Sequence, residues 1–171
     1  MPHIMKKYIF CTIAIVLFLL SACKQNSEEP QSSPRIYMSY FVSSPSGGAK
    51  KDTLNLKAVN GRYVVDSISV GDTVRFDLLL NAVTNTLTSF TFKNDTNYLD
   101  MRVNVYTDLQ KGLTSESKLA DGILFFQTGY SAAMVPMMYI ARKSGSTDVD
   151  MTLSSTSTYS PSTLSFTQPI R

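Results

Sequence analysis

Few residues in this chain could do acid–base chemistry, and their spacing limits them further. Asp148 and Asp150 stand at i and i+2 in the alternating stretch TDVDMTL. In a strand that places both carboxylates on one face, about 7 Å apart, within the range an inverting glycosidase uses. The same alternation, with Val149, Met151 and Leu153 on the other parity, describes the polar outer face of an ordinary sandwich strand. No further acid in the sequence marks itself as a partner, so the outer-face reading is preferred. Asn94, Asp95, Asn97 and Asp100 make an oxygen-rich loop, NDTNYLD. Calcium needs six to eight oxygen ligands including several carboxylates, and two Asp without the spacing of a known calcium loop fall short. The same residues are good turn formers. Met134, Met137, Met138 and Met151 offer thioethers to a soft metal, but their neighbours Val135, Ile140 and Val149 assign them to packing.

Histidine and cysteine narrow the chemistry more sharply. The one histidine is His3 and the two cysteines are Cys11 and Cys23. Lys6-Lys7, the apolar stretch Ile9 to Leu20 and the small pair Ser21-Ala22 follow the order of a secretory signal: a positive start, a short apolar run, then small residues at the cut. The stretch is too short for a spanning helix, which needs about 20 apolar residues. Cleavage before Cys23 leaves a domain with no histidine and no second thiol. Ser-His-Asp and Cys-His catalysis, most zinc sites and disulfides are thereby excluded, and no cofactor is expected. Of the 16 Lys/Arg, loss of Lys6 and Lys7 leaves 14 against 13 Asp/Glu. Such a near-neutral domain lacks the basic patch that nucleic acid requires.

Leu20-Ser21-Ala22-Cys23 resembles the lipobox of bacterial lipoproteins. The resemblance implies residues 1–22 as signal peptide, diacylglycerol on the Cys23 sulfur and acylation of the new amine. Two or more acyl chains anchor stably where one is marginal. Residues 23–34, continuing as KQNSEEPQSSP, are polar and aperiodic and read as a tether reaching at most about 35–40 Å. Glu28-Glu29 is similar to the acidic export signal of Bacteroidetes lipoproteins that reach the outer face of the outer membrane. Lys24 and the late position of the pair depart from that signal, and plain linker charge would read the same way.

The elements that must position any site are strands. From Arg35 to Arg171 the apolar residues recur with period two: Ile36, Met38, Tyr40 and Val42; Leu54 and Leu56; Val74, Phe76, Leu78 and Leu80; Phe90 and Phe92; Met101, Val103 and Val105; Val149, Met151 and Leu153; Leu164 and Phe166. Asn60-Gly61 supplies a hairpin turn. Ile123 to Phe126 is continuously apolar and predicts a strand buried on both sides. Met134 to Ile140 is also apolar, but Pro136 predicts an edge or bulge there. Residues 107–121 predict a short helix or a long loop. The expectation is an all-β sandwich of about seven to nine strands over residues 35–171. The segment Ser67 to Phe76, SISVGDTVRF, resembles the early strand pair of bacterial immunoglobulin-like domains, and Tyr139 to Leu153 resembles their late hairpin. An immunoglobulin-like sandwich is what this resemblance implies, without the Cys…Trp…Cys core.

Tyr98, Tyr106, Tyr130 and Tyr159 fall near predicted loops, where tyrosine can form contact surface. Tyr98, Tyr106 and Tyr130 are the candidate ligand residues, in the loop regions 94–100, 107–121 and 129–133. The absence of Trp weakens a sugar platform, and rings buried at sheet edges with wet hydroxyls would read the same way. The expected function is therefore a non-catalytic binding or accessory module for a glycan or protein, held on an outer membrane through acylated Cys23. A structural or assembly subunit of the envelope is the alternative, and an enzyme using carboxylates alone ranks below both. Intact-mass measurement of the processed chain should show a lipidated N-terminal Cys23. Cys23→Ser should move the protein from the membrane fraction to the soluble one.

Overall fold

The computed structural model describes residues 31–48 and 51–171. The predicted signal peptide, Cys23 and the first part of the tether lie outside the described residues. Period two becomes strand wherever one parity can be buried. In β6 (Thr73–Asn81) Val74, Phe76, Leu78 and Leu80 point inward and the intervening residues outward. β11 (Gly145–Ser155) alternates in the same way from Thr147 onward.

Two six-stranded sheets face each other. Sheet A runs β3 (Asp52–Leu54), β2 (Phe41–Ser44), β6, β10 (Ala132–Ala141), β8 (Leu99–Val103), with β1 (Arg35–Met38) also paired to β6. Sheet B runs β4 (Leu56–Val59), β5 (Arg62–Val65), β12 (Ser162–Ile170), β11, β7 (Leu87–Asn94), β9 (Ile123–Phe125). Among the described residues, all pairings between these strands are antiparallel except β5 with β12, which the parallel bridge from Ile68 to Ile170 continues. The described residues form an all-β sandwich, as expected. Its twelve strand segments exceed the expected count because β1 and β2 share the same edge of β6, and because β3 and β4 are one extended run. That run changes sheets at Asn55. The corner is pinned by Asp66, whose Oδ2 accepts from both the backbone N–H (2.9 Å) and the side-chain amide (2.7 Å) of Asn55.

Phe41, Phe76 and Tyr139 of sheet A meet Phe166 of sheet B at the centre, with ring centroids 4.5 to 6.4 Å apart. The Tyr139 hydroxyl donates across the gap to the Gln168 side-chain oxygen. The Gln168 amide in turn donates to the carbonyls of Asp66 (3.1 Å) and Pro169 (2.8 Å). Burial pushes the Tyr139 phenol far above its ordinary value, so it stays protonated and can keep donating.

Several expectations change in detail. The first alternation does not hold its phase: Ile36 and Met38 lean inward, but after Ser39-Tyr40 it is Phe41, not Val42, that is buried. Ser39 causes the slip. Its N–H donates to the Asp77 carbonyl (2.9 Å), while its Oγ accepts from the Asp77 N–H (2.8 Å). The side chain thus replaces a ladder carbonyl, and one extra residue reverses the faces. Ile123–Phe125 is not buried on both sides; it is a three-residue edge strand with Phe125 exposed. Its outer edge is covered by residues 114–118, where Ser117 and Lys118 bond to Phe125 and Ile123. Tyr139 to Leu153 is not a hairpin, because β10 and β11 lie in different sheets and the turn at 142–144 crosses the sandwich. SISVGDTVRF is likewise no strand pair: Ile68 bridges to Ile170 and β6 belongs to the opposite sheet.

Pro136 lies within an interior strand, yet at its locally open edge. β8 covers β10 only from Met137 onward, and the Asn104 N–H donates to the Pro136 carbonyl (2.8 Å) where β8 departs. The missing proline N–H falls where no partner strand remains. Phe166→Ala should cost about 3–5 kcal/mol of stability in urea unfolding, because the ring fills the junction of both sheets. Tyr139→Phe should cost about 1–3 kcal/mol in the same assay by stranding the buried Gln168 oxygen.

Candidate functional site

The two outer faces of the sandwich differ in chemistry. On sheet B, β11, β12 and β7 present Asp148, Asp150, Thr163, Ser165, Thr167, Thr91 and Lys93 in register. Asp148 accepts from Arg62 (3.1 Å) and from Thr167, and Asp150 accepts from Ser165 (2.6 Å). The paired carboxylates are therefore consumed by a hydroxyl-rich outer face, the bland reading of their spacing. On sheet A the register sets Tyr37 of β1, Leu79 of β6 and Met134 of β10 side by side. They are 45%, 38% and 44% exposed. Tyr40, Val42, Pro136 and Met138 extend this apolar band around a shallow depression of about 310 Å³. Only Arg75 and Asp77 interrupt it with charge there.

Beyond the end of β8 the chain turns into α1 (Thr107–Gly112), which lies against the open stretch of β10. Tyr106, at its N-terminal boundary, donates its hydroxyl to the Met134 carbonyl (3.3 Å), an edge acceptor left free by the departure of β8. Across from it, the Tyr130 ring sits over Gly112, where an added Cβ would come within 2.8 Å of the ring. Only glycine admits that contact. Tyr106, Tyr130, Asp108, Leu109, Phe126 and Met134 enclose a cleft of about 180 Å³ that opens beside the apolar band. Met134 belongs to both, so cleft and band form one continuous surface.

Two of the three candidate tyrosines therefore converge, and the third does not. Tyr98 lies at the opposite end of the sandwich, where its carbonyl accepts from the Arg142 N–H (2.7 Å). Its ring packs beside Gly145, with the Lys143 ammonium 5.6 Å from the ring centre. It holds the β7–β8 and β10–β11 turns together. The loop regions 107–121 and 129–133 meet at the cleft, while 94–100 is remote from it. Tyr159 stands on the tip of the β11–β12 loop, 63% exposed.

The oxygen-rich loop is occupied by its own turn. Asp95 accepts from the backbone and side-chain amides of Asn97, both at 2.9 Å, and the Asn94 amide donates to the Leu99 carbonyl. Asp100 is gripped by Arg102 (2.8 Å) and Arg142, whose hydrogen bonds lower its carboxyl to about 2. Among the described residues no three His, Cys, Asp or Glu side chains converge as metal ligands. Met137 and Met151 are buried in the core, Met138 lies half-buried on the outer face, and Met134 edges the cleft. The sequence reading overlooked Tyr37, Tyr40 and Leu79. Its available signal was β10 itself, whose apolar residues occupy both parities, more than burial on one face requires.

No known protein-family profile matches the chain, and no curated protein matches it. Among solved structures, a DUF4466 family protein from Parabacteroides merdae is similar, with TM-score 0.44 and 11% identity, over 80% of this chain. The matched part spans 44% of that protein. A PapD-like domain of human CEP192 is similar with TM-score 0.38 and 10% identity, over 86% of this chain and 92% of that one. A type II cohesin domain from Acetivibrio cellulolyticus gives TM-score 0.36 and 12% identity, over 65% and 92%. At these values the likenesses assign no activity to this chain.

The hydrogen bonds of Lys57 and Asn55 hold Asp66 at about 2, as the arginines hold Asp100, both below the ordinary 3.8. Carboxyls depressed in the folded state stabilise it fully above their unfolded value and lose that effect as pH falls through the folded one. The thermal midpoint should therefore drop between about pH 4 and 2. Asp66→Asn and Asp100→Asn should each flatten that slope in calorimetry across the acid range.

Proposed function

We propose that this chain is a lipid-anchored, non-catalytic binding module of a bacterial envelope. It holds a protein partner on the outer face of sheet A, with the Tyr106–Tyr130 cleft as an anchoring pocket. The observation that carries the reading is the contrast between faces. The central strands β11 and β12 of sheet B show solvent a ladder of hydroxyls and carboxylates, whereas β1, β6 and β10 of sheet A set Tyr37, Leu79 and Met134 side by side with Tyr40 nearby. Contiguous exposed apolar surface rimmed by polar groups is characteristic of interaction sites. Tyrosine and methionine are residue types enriched in such interfaces. The cleft supplies a concave feature in which one partner side chain can be fully desolvated, as binding hot spots require.

Absence of catalysis is supported by the carboxylates. Asp66 and Asp100 are held below the ordinary carboxylate range, opposite to what a general acid needs at neutral pH. Assembly by strand addition has less support. The outer strands β3, β4, β8 and β9 are three to five residues long. The longer open edge of β10 is partly taken up by Tyr106 and Asn104. Short and covered edges are how sheets avoid pairing with other chains.

A photo-crosslinking residue placed at Leu79 or Met134 in the native envelope should capture a defined partner, and one placed at Thr163 on sheet B should not. Tyr37→Ala combined with Leu79→Asp should abolish that capture and leave the thermal midpoint within a few degrees of wild type, as expected for exposed positions. Equal capture from both faces would overturn the proposal.

A further inference from the structure

One end of the sandwich is closed by loops without charge, beside which stand Arg35, paired with Asn81, and Asp108 and Lys111 of α1; Gln31 lies at this end. Three loops meet there: residues 82–86 (AVTNT), 127–131 (QTGYS) and 156–161 (TSTYSP), with no Asp, Glu, Lys or Arg among them. They are tied into one platform by backbone bonds from Ala82 to Ser131 (2.8 Å), Leu87 to Tyr130 (2.7 Å) and Thr156 to Thr86 (2.9 Å). Gln31 joins the same platform, its side-chain oxygen accepting from the Thr158 N–H (3.0 Å). The opposite end is charged, carrying Asp66, Asp72, Asp95, Arg142, Lys143 and Arg171.

The uncharged platform also projects apolar side chains. Tyr159 is 63% exposed at one loop tip and Val83 is 38% exposed at another. Val83 has φ +61°, a left-handed conformation that a β-branched residue adopts only under strain. Its N–H donates to the Asn81 side-chain oxygen (2.6 Å), and the flanking Ala82 carbonyl accepts from Asn85 (3.1 Å). Solvent exposure gives such a residue no reason to be valine, whereas Asn would relieve the strain at no packing cost.

We infer that this platform docks on the surface of the lipid bilayer, with Val83 and Tyr159 in the headgroup region and the strands standing upright. The inference rests on lipid attachment at Cys23. Because Gln31 is held by the platform, seven residues separate it from Cys23, a span of at most about 28 Å. The anchor therefore keeps the platform at high local concentration beside the bilayer, where weak insertion of a few side chains suffices. Tyrosine favours the membrane–water boundary, with its ring in the apolar layer and its hydroxyl wet. The loops themselves carry no charge to be desolvated on contact with the headgroups. Upright strands turn the outer face of sheet A sideways, toward neighbours held in the same membrane.

The test uses the full processed chain in phosphatidylcholine vesicles, with a fluorescent amino acid at 83, 159, 40 or 143 in separate preparations. Probes at 83 and 159 should be blue-shifted and quenched by spin-labelled lipid, and those at 40 and 143 should not. With the probe kept at 159, Val83→Asp should lower the docked-to-free ratio about tenfold, equivalent to one buried valine side chain. Val83→Asn should weaken docking while raising the thermal midpoint. A probe at 83 as wet as that at 143 overturns the inference, and quenching at 40 equal to that at 83 overturns the upright orientation. Mass measurement on the same sample reports the anchor separately. If Cys23 proves unmodified, the anchoring reading fails. The thiol is then coupled to a maleimide lipid and the same comparison decides docking by itself.

Discussion

The structure depends on the contact of four rings across two sheets and one hydrogen bond within it. Phe41, Phe76 and Tyr139 come from three neighbouring strands of sheet A, and Phe166 from the centre of sheet B. Aromatic rings bury large areas and prefer offset or edge-on contact, so they set the spacing of the sheets as well as excluding water. The Tyr139–Gln168 bond adds direction to a contact that apolar burial alone leaves free to slide. Gln168 reaches on to the carbonyl of Asp66, and Asp66 grips Asn55 at the corner where the chain changes sheets. One buried amide thus links both sheets to the turn between them. With no disulfide possible among the described residues, this connection has no covalent substitute.

Most connections cross from one sheet to the other. β5 to β6, β6 to β7, β7 to β8, β9 to β10 and β10 to β11 all exchange sheets, so loops collect at two ends. The loops at the two ends differ in charge, and the central strands of the two faces differ in polarity. The functional reading follows from these two asymmetries. The Tyr106–Tyr130 cleft forms where β8 stops short and α1 fills in beside the uncovered half of β10. A strand that ran three residues further would pair with Met134 and leave no space for it.

Some residues matter through what they prevent. Ser39 supplies an oxygen where the ladder lacks one and so lets β1 and β2 share one edge of β6 in opposite phase. Ser117 does the same for β9, accepting from the Phe125 N–H (2.9 Å) and closing an edge that would otherwise be open. Polar side chains placed this way leave fewer backbone groups for another chain to capture, and they direct association to a face instead of an edge.

By itself the sequence determined the class of the fold and left residues 24–171 without histidine or cysteine. Period-two alternation in β6, β11 and β12 is a local property, because successive side chains of a strand must take opposite faces. The absence of His and a second thiol from the domain is a matter of composition. The outer-face role of Asp148 and Asp150 followed from the same periodicity. What sequence could not determine was which strands share a sheet. The apparent hairpin around Gly145 proved to be a crossing, since the choice between pairing and crossing rests on contacts distant in sequence. For the same reason Tyr106 and Tyr130 were candidates of the same kind as Tyr98, and only packing of α1 on β10 brought two together and sent the third to the far end. Phase was lost at Ser39 because a single side-chain hydrogen bond to Asp77, 38 positions away, decides which face Phe41 enters. Local rules govern which residues alternate, but long-range closure decides where each alternation points.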